Sequence, residues 1–254
     1  MRPNIRSASG AILMLAIIPI FAGLLACMPV PIGNPEKSRI DPEISGVWLV
    51  ADDSSFEGVY MYQPWDKRTW LVVGVPIQSG PEFAGEPLSI HSAEDAIAAL
   101  REQKIGDDGI TASAAVLYKA WLTKLGGKVF MTWEPTGGVR DDGSHVPEYW
   151  FVWRVEKEAS GKLEFFIVNP EHDAFEGALE ATEAFLEKNE AEDAQEYLRQ
   201  LNKMRPKWER ALRKVAKNID DEELYGEPLT FHKLPDELYF EAAELIQEVI
   251  ESGD

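Results

Sequence analysis

The sequence predicts an α+β protein in which an antiparallel β-barrel or sandwich is followed by a C-terminal acidic helical region. Two patterns carry that prediction. Between 44 and 170 the chain runs in short β-branched and aromatic segments separated by turn residues. Between 171 and 254 it changes to helical periodicity, with most of the acidic side chains. Composition sets the bounds. Hydrophobic residues make up 45% of the 254, enough for a core, and one cysteine rules out an internal disulfide. A formal net charge of −19 repels phosphate backbones, which argues against a nucleic-acid partner and against a polybasic membrane-surface binder.

The first element is a leader over 1–26. Arg2 and Arg6 form a positive flank to the apolar run from Ala11 to Leu25. That run is about 15 residues long, too short at 1.5 Å per residue to cross a bilayer core of roughly 30 Å, and Pro19 interrupts it. This is the pattern of a signal-peptide core rather than a spanning helix. Leu24-Leu25-Ala26-Cys27 closes the run and resembles the bacterial lipobox. The resemblance implies cleavage after Ala26, a diacylglyceryl group on the Cys27 thiol and acylation of the new amine. The cofactor expectation is therefore a covalent lipid on Cys27 and nothing else, and one partner is the membrane, reached through that lipid. One acyl chain binds reversibly and two or three hold firmly, at ~0.8 kcal/mol per buried CH₂. Met28 stands where an Asp would retain enteric lipoproteins in the inner membrane, so the resemblance points to the outer membrane, facing the periplasm. The stretch 27–43 carries four prolines from Pro29 to Pro42 and few large apolar residues past Ile32, and reads as an extended tether.

The β-domain is expected over 44–170. "ISGVWLVA", "EGVYMYQPW" and "KRTWLVVGVPI" are its opening strands. Ser92 before "AEDAIAALREQ", with Asp95 three residues on, predicts a helical insertion near 92–104. Residues 114–125 admit two readings. They could be a helix closed by Gly126, or a strand turning at Gly126-Gly127 into Val129–Glu134; the aromatic and β-branched content favours the hairpin. A further hairpin is expected in "EYWFVWRVEKEASGKLEFFIVN", with its turn at Ala159–Lys162.

In the helical region over 171–254, Phe175, Leu179, Thr182, Phe185 and Leu186 share a face, as do Tyr197, Leu198, Leu201 and Met204. Pro206 should start a new helix or kink the old one, and Trp208, Leu212 and Val215 continue the apolar stripe. "LTFHKL" reads as a closing strand near 228–234, and Asp236 as the cap of a last helix. About 23 acids face about 10 bases across this region, the pattern of a solvated outer face or of an acidic docking surface for an envelope protein.

Gly46-Val47-Trp48 is similar to the Gly-x-Trp pattern near the first strand of lipocalins, and the layout resembles lipocalin-like bacterial lipoproteins. The resemblance implies a barrel whose floor Trp48 closes. Six of the eight tryptophans, Trp48, Trp70, Trp121, Trp133, Trp150 and Trp153, fall on expected strands. They are the candidate lining of a pocket for a small apolar ligand, although core packing with some exposed rings is the favoured reading of large rings. Trp150 and Trp153, being odd-spaced, should point to opposite faces of one strand.

Catalytic chemistry has no motif here. There is no G-x-S-x-G and no P-loop. His145 with Glu148, and His172 with Asp173, each offer two metal ligands where a site needs three or four. No catalytic residue and no metal site is assigned. The leading expectation is a non-enzymatic, lipid-anchored envelope protein that binds a small apolar ligand inside the barrel, with an interaction module as the alternative and an enzyme as the least favoured class.

Overall fold

A computed structural model of the chain describes residues 27–50, 58–76, 116–136, 149–158, 161–189, 193–218 and 221–235, with isolated positions at 147, 191, 240, 241, 243 and 244. The leader expected over 1–26, the helical insertion expected near 92–104 and the helix expected after Asp236 lie outside or almost outside these residues.

Eight strands form a closed antiparallel barrel: β2 (Gly46–Val50), β3 (Gly58–Pro64), β4 (Trp70–Pro76), β5 (Val116–Leu125), β6 (Lys128–Pro135), β7 (Trp150–Lys157), β8 (Leu163–Ile167) and β9 (Leu229–Lys233). Each pairs with its sequence neighbour, and β9 closes the ring against β2. A two-residue strand, β1 (Cys27–Met28), adds to β7 where β8 leaves it. This is consistent with the lipocalin-like expectation. The stretch with two readings, 114–125, resolves as strand from Val116 onward. Gly126 (φ +59°) and Gly127 (φ +85°) make the turn into β6, a backbone that side-chain-bearing residues avoid.

The barrel interior follows the period of two. Trp48, Tyr60, Tyr62, Trp70, Met131, Trp133, Trp153, Phe165 and Phe231 all point inward and are buried. An eight-stranded barrel is just wide enough for side chains to fill, and these rings fill it. Trp133 is the hub, with ring centroids 5.1 Å from Tyr118, 5.2 Å from Trp153, 5.8 Å from Tyr60 and 6.1 Å from Phe165.

Two helices lie between β8 and β9: α1 (Glu176–Lys188) and α2 (Ala194–Val215). The helical region is thus an insertion into the barrel rather than an appendage behind it. The faces are those the periodicity indicates: Phe175, Ala178, Leu201, Met204, Trp208 and Leu212 are buried in one cluster, and Thr182 is buried beside it. Trp208 stacks on Phe175 at 5.4 Å, and its Nε1 donates to Thr182 Oγ1 at 3.0 Å. Pro206 neither ends the helix nor starts another; α2 runs through it. The cost of an interior proline is about 3 kcal/mol, and burial of Leu201, Met204, Trp208 and Leu212 on both sides of it offsets that. The acidic character also divides. α1 carries Glu176, Glu180, Glu183 and Glu187, whereas α2 carries Arg199, Lys203, Arg205, Lys207, Arg210, Arg213 and Lys214 against Glu196 and Glu209. The longer helix is basic, so the acidic excess expected of 171–254 does not lie on it.

The largest departure concerns 27–43. It is extended, but it is no free tether. Met28, Val30 and Ile32 are wholly buried between the outer faces of β5–β7 and helix α2. Burying each such side chain is worth roughly 1.5–3 kcal/mol. Pro29 and Pro31 have no amide hydrogens, so the strap can be buried without orphaning donors there. The Ile32 carbonyl accepts from both Trp121 Nε1 and Thr132 Oγ1, each at 2.8 Å. At Gly33 the strap turns with φ +80°, so close to Thr123 that a Cβ would overlap its hydroxyl. The chain then crosses the end of the barrel, where Ile40 and Ile44 cap the interior, and enters β2.

Candidate ligand-binding site

The six tryptophans separate into two sets. Trp48, Trp70, Trp133 and Trp153 lie in the interior cluster, while Trp121 and Trp150 are on the outer face, against the strap and the helices. Trp150 and Trp153 do take opposite faces of β7. Five of the six indoles are tied down: Trp121 Nε1 donates to the Ile32 carbonyl as above, Trp48 Nε1 to the Ile44 carbonyl (2.8 Å), Trp70 Nε1 to Ser45 Oγ (3.1 Å), Trp133 Nε1 to Met131 Sδ (3.1 Å) and Trp150 Nε1 to Glu134 Oε2 (2.9 Å). The buried Trp153 Nε1 makes no hydrogen bond to another described residue. Lys233 Nζ sits 5.8 Å from the Trp48 ring, closing the barrel end where the strap crosses. These contacts are those of packed core.

A cavity among the described residues lies elsewhere. A space of about 1060 Å³ lies under the strap at the barrel end formed by the β5–β6 and β7–β8 turns. Its apolar lining is Ile40 and Leu122, both half-buried, over Ile44, Leu125 and Val155, which are already buried in the core. The strap makes one wall and helix α2 another. None of the six tryptophans lines it. Lys157 Nζ donates to Asp41 Oδ2 at 2.5 Å and to Glu43 Oε2 at 2.6 Å, fastening the strap to β7. On the other wall Arg205 Nη1 donates to the Gly33 carbonyl (2.9 Å), and Glu209 Oε1 accepts from the Gly33 amide (3.0 Å). Ser38 Oγ accepts from the Leu122 amide at 3.0 Å. Burial alone would raise the Asp41 carboxyl, but the hydrogen bonds from Lys157 and from the Glu43 amide outweigh it and hold it below the ordinary carboxylate value. Burial would likewise lower Lys157, and the bonds to Asp41 and Glu43 raise it instead.

Cys27 sits at the opposite end of the barrel, paired with Phe151 at the start of β7. Burial pushes its thiol up to about 11, so in the folded protein it is a poor nucleophile.

The remaining candidates are structural. Arg154, 2% exposed, is held between the Phe166 ring (4.1 Å) and the Tyr225 ring (4.2 Å), and fastens the segment before β9 onto the outer face of β7. His172 Nδ1 accepts from the Ala174 amide at 3.0 Å and its Nε2 lies 3.4 Å from Asp221 Oδ2. His145 and Glu148 lie outside the described residues. Among the described residues no group of three or more His, Cys, Asp or Glu side chains could hold a metal ion, and no helix is long and apolar enough to cross a membrane.

The residues that build the cavity were not singled out from the sequence. Lys37, Arg39, Lys124, Lys157 and Arg205 come from four separate segments, and no spacing rule joins them. The one local hint is Gly33-Asn34-Pro35, a turn signal inside the expected tether. Comparison with family models, with curated proteins and with solved structures finds no match to this chain.

Proposed function

We propose that this chain is a lipid-anchored, non-enzymatic envelope protein that binds a small ligand in the cavity under its strap. The observation that carries the reading is that cavity. Its volume of about 1060 Å³ is in the range of small-molecule sites, as is the combination of an apolar lining with a few convergent polar groups. The interior of the barrel, filled by rings around Trp133, is the lesser candidate for a ligand. The anchor rests on the lipobox-like Leu24-Leu25-Ala26-Cys27 and its charged, apolar leader. The Cys27 thiol, raised by burial, fits acylation of the precursor before folding rather than of the finished protein.

On this reading the anchor and the pocket occupy opposite ends of the barrel. From Phe151, opposite Cys27, to Val155 in the pocket wall is four strand residues, or about 13 Å at 3.3 Å per residue. With the strap docked, the lipid holds the barrel end directly at the membrane and the pocket opens away from it, toward the periplasm if the membrane is the outer one. The alternative, an interaction module using acidic helices, is not favoured by the charge of α2.

Native mass spectrometry of the protein purified from bacterial membranes tests both halves. The expected result is a chain beginning at Cys27, heavier by covalent acyl groups, with a reproducible further mass that leaves on gentle activation. A chain with no covalent addition sinks the anchor, and a mass with nothing to release sinks the ligand.

A further inference from the structure

Resting on the ligand-pocket reading above, we infer that the cavity takes an anionic amphiphile, a ligand with one phosphate or carboxylate group on an apolar body. The chain carries a net charge of −19, yet this cavity inverts the sign. Five cations line it, Lys37, Arg39, Lys124, Lys157 and Arg205, against two acids, Asp41 and Glu209. Those acids are already engaged. Asp41 accepts from Lys157, and Glu209 accepts from the Gly33 amide, 3.7 Å from Arg205 Nε. Lys157 and Arg205 are thereby spent on holding the walls. Lys37, Arg39 and Lys124 are left, all exposed at the rim, with no ion pair to another described residue.

Lys37, Arg39 and Lys124, which make no ion pair within 4 Å to another described residue although the charge of Lys124 helps hold the Asp41 carboxyl down, do two things at the mouth of the cavity. They give an anion a local positive potential on a protein whose overall charge repels it. They also leave the lining of Ile40, Ile44, Leu122, Leu125 and Val155 with no polar partner to offer, so an apolar body gains by burial there and a purely ionic ligand does not. Lys37 and Arg39 are on the strap and Lys124 is on β5, so an anion between them would also draw the strap to the barrel.

The test is calorimetric titration of the full chain in a nonionic detergent with three probes: octyl phosphate, octan-1-ol and inorganic phosphate. Each is run on the wild type and on the triple variant Lys37→Glu, Arg39→Glu, Lys124→Glu. These side chains are exposed, so the variant should fold, which its circular dichroism spectrum and unfolding midpoint report. Micelle partition is common to both proteins and cancels in the difference. The expected result is that octyl phosphate binds at least about tenfold tighter than either other probe, and that the variant loses about tenfold or more for octyl phosphate and less than about twofold for octan-1-ol. Octan-1-ol binding as tightly as octyl phosphate overturns the anionic half and leaves the ligand pocket standing. Inorganic phosphate binding as tightly overturns the amphiphilic half. If none of the three binds the wild type, both the inference and the ligand-pocket reading fail.

Discussion

The barrel has an inside and an outside, and both faces of β5–β7 are buried, but by different means. The inner face is filled by rings from all eight strands, so that Trp133 alone touches Tyr60, Tyr62, Tyr118, Trp153 and Phe165. The outer face is covered by three segments far apart in sequence: the strap 28–33, α1 and α2. The hydrogen bonds that hold the strap in that layer converge on Ile32 and Gly33. The inside is redundant and held by neighbours along the chain. The outside hangs on a handful of long-range bonds. This teaches where the molecule can open without unfolding, and that place is the strap, one wall of the proposed pocket.

Four outcomes would break or sharpen that contrast. The largest is Trp133→Ala. Loss of a buried hub ring should cost about 3–5 kcal/mol, seen as a lower urea midpoint with both layers melting together. Next is Ile32→Ala, which should cost about 2–4 kcal/mol of strap docking. Here limited proteolysis within 28–45 should rise steeply while the global midpoint moves less; an equal midpoint loss in the two variants would mean that strap and barrel are one cooperative unit. The third reads β1. On unlipidated protein at pH 8, a thiol raised from 9.0 to about 11 should react with iodoacetamide roughly a hundredfold more slowly folded than in urea. Equal rates would show that β1 is not docked in solution.

The smallest is the Lys157 bridge. Asp41 lies below its ordinary 3.8 and Lys157 above its ordinary 10.5. The Asp41 contribution is present above the ordinary carboxylate value and is lost as pH falls through its lower folded value. The Lys157 contribution is complete below 10.5 and is lost as pH rises through its higher folded value. Strap protection should therefore be flat through neutral pH and weaken below about 4 and above about 10.5. Both side chains are about a third exposed, so the effect is at most about 1 kcal/mol. The variant Lys157→Gln should lose the acid-side change; if it keeps that change, another carboxylate is responsible.

Local pattern accounts for what was legible. The period-two runs of β2–β9, the Gly126-Gly127 turn, and the apolar stripe from Phe175 to Leu212 all depend on residues a few positions apart, and each lies where periodicity puts it. Where several levels compete, the pattern misleads. Four prolines in 27–43 read as a free tether because proline-rich chain usually stays extended and solvated. What docks it is Met28, Val30 and Ile32, every second residue, meeting an apolar face more than eighty residues away. Pro206 reads as a helix break for the same reason: propensity is worth a few kcal/mol, and the burial around it is worth more.

The sequence by itself determined the strand and helix periodicities, the lone cysteine behind an apolar leader, the acidity of the chain and the expectation of aromatic packing. The fold alone sets which tryptophans face inward, makes a proline-rich stretch a strap, and places Lys37, Arg39 and Lys124 in the lining of one cavity. The physical reason is one of range. Backbone geometry and side-chain alternation repeat every two to four residues and can be read along the chain. A cavity is the space left between segments brought together by burial, and its lining is chosen by the closure of the ring rather than by any local rule.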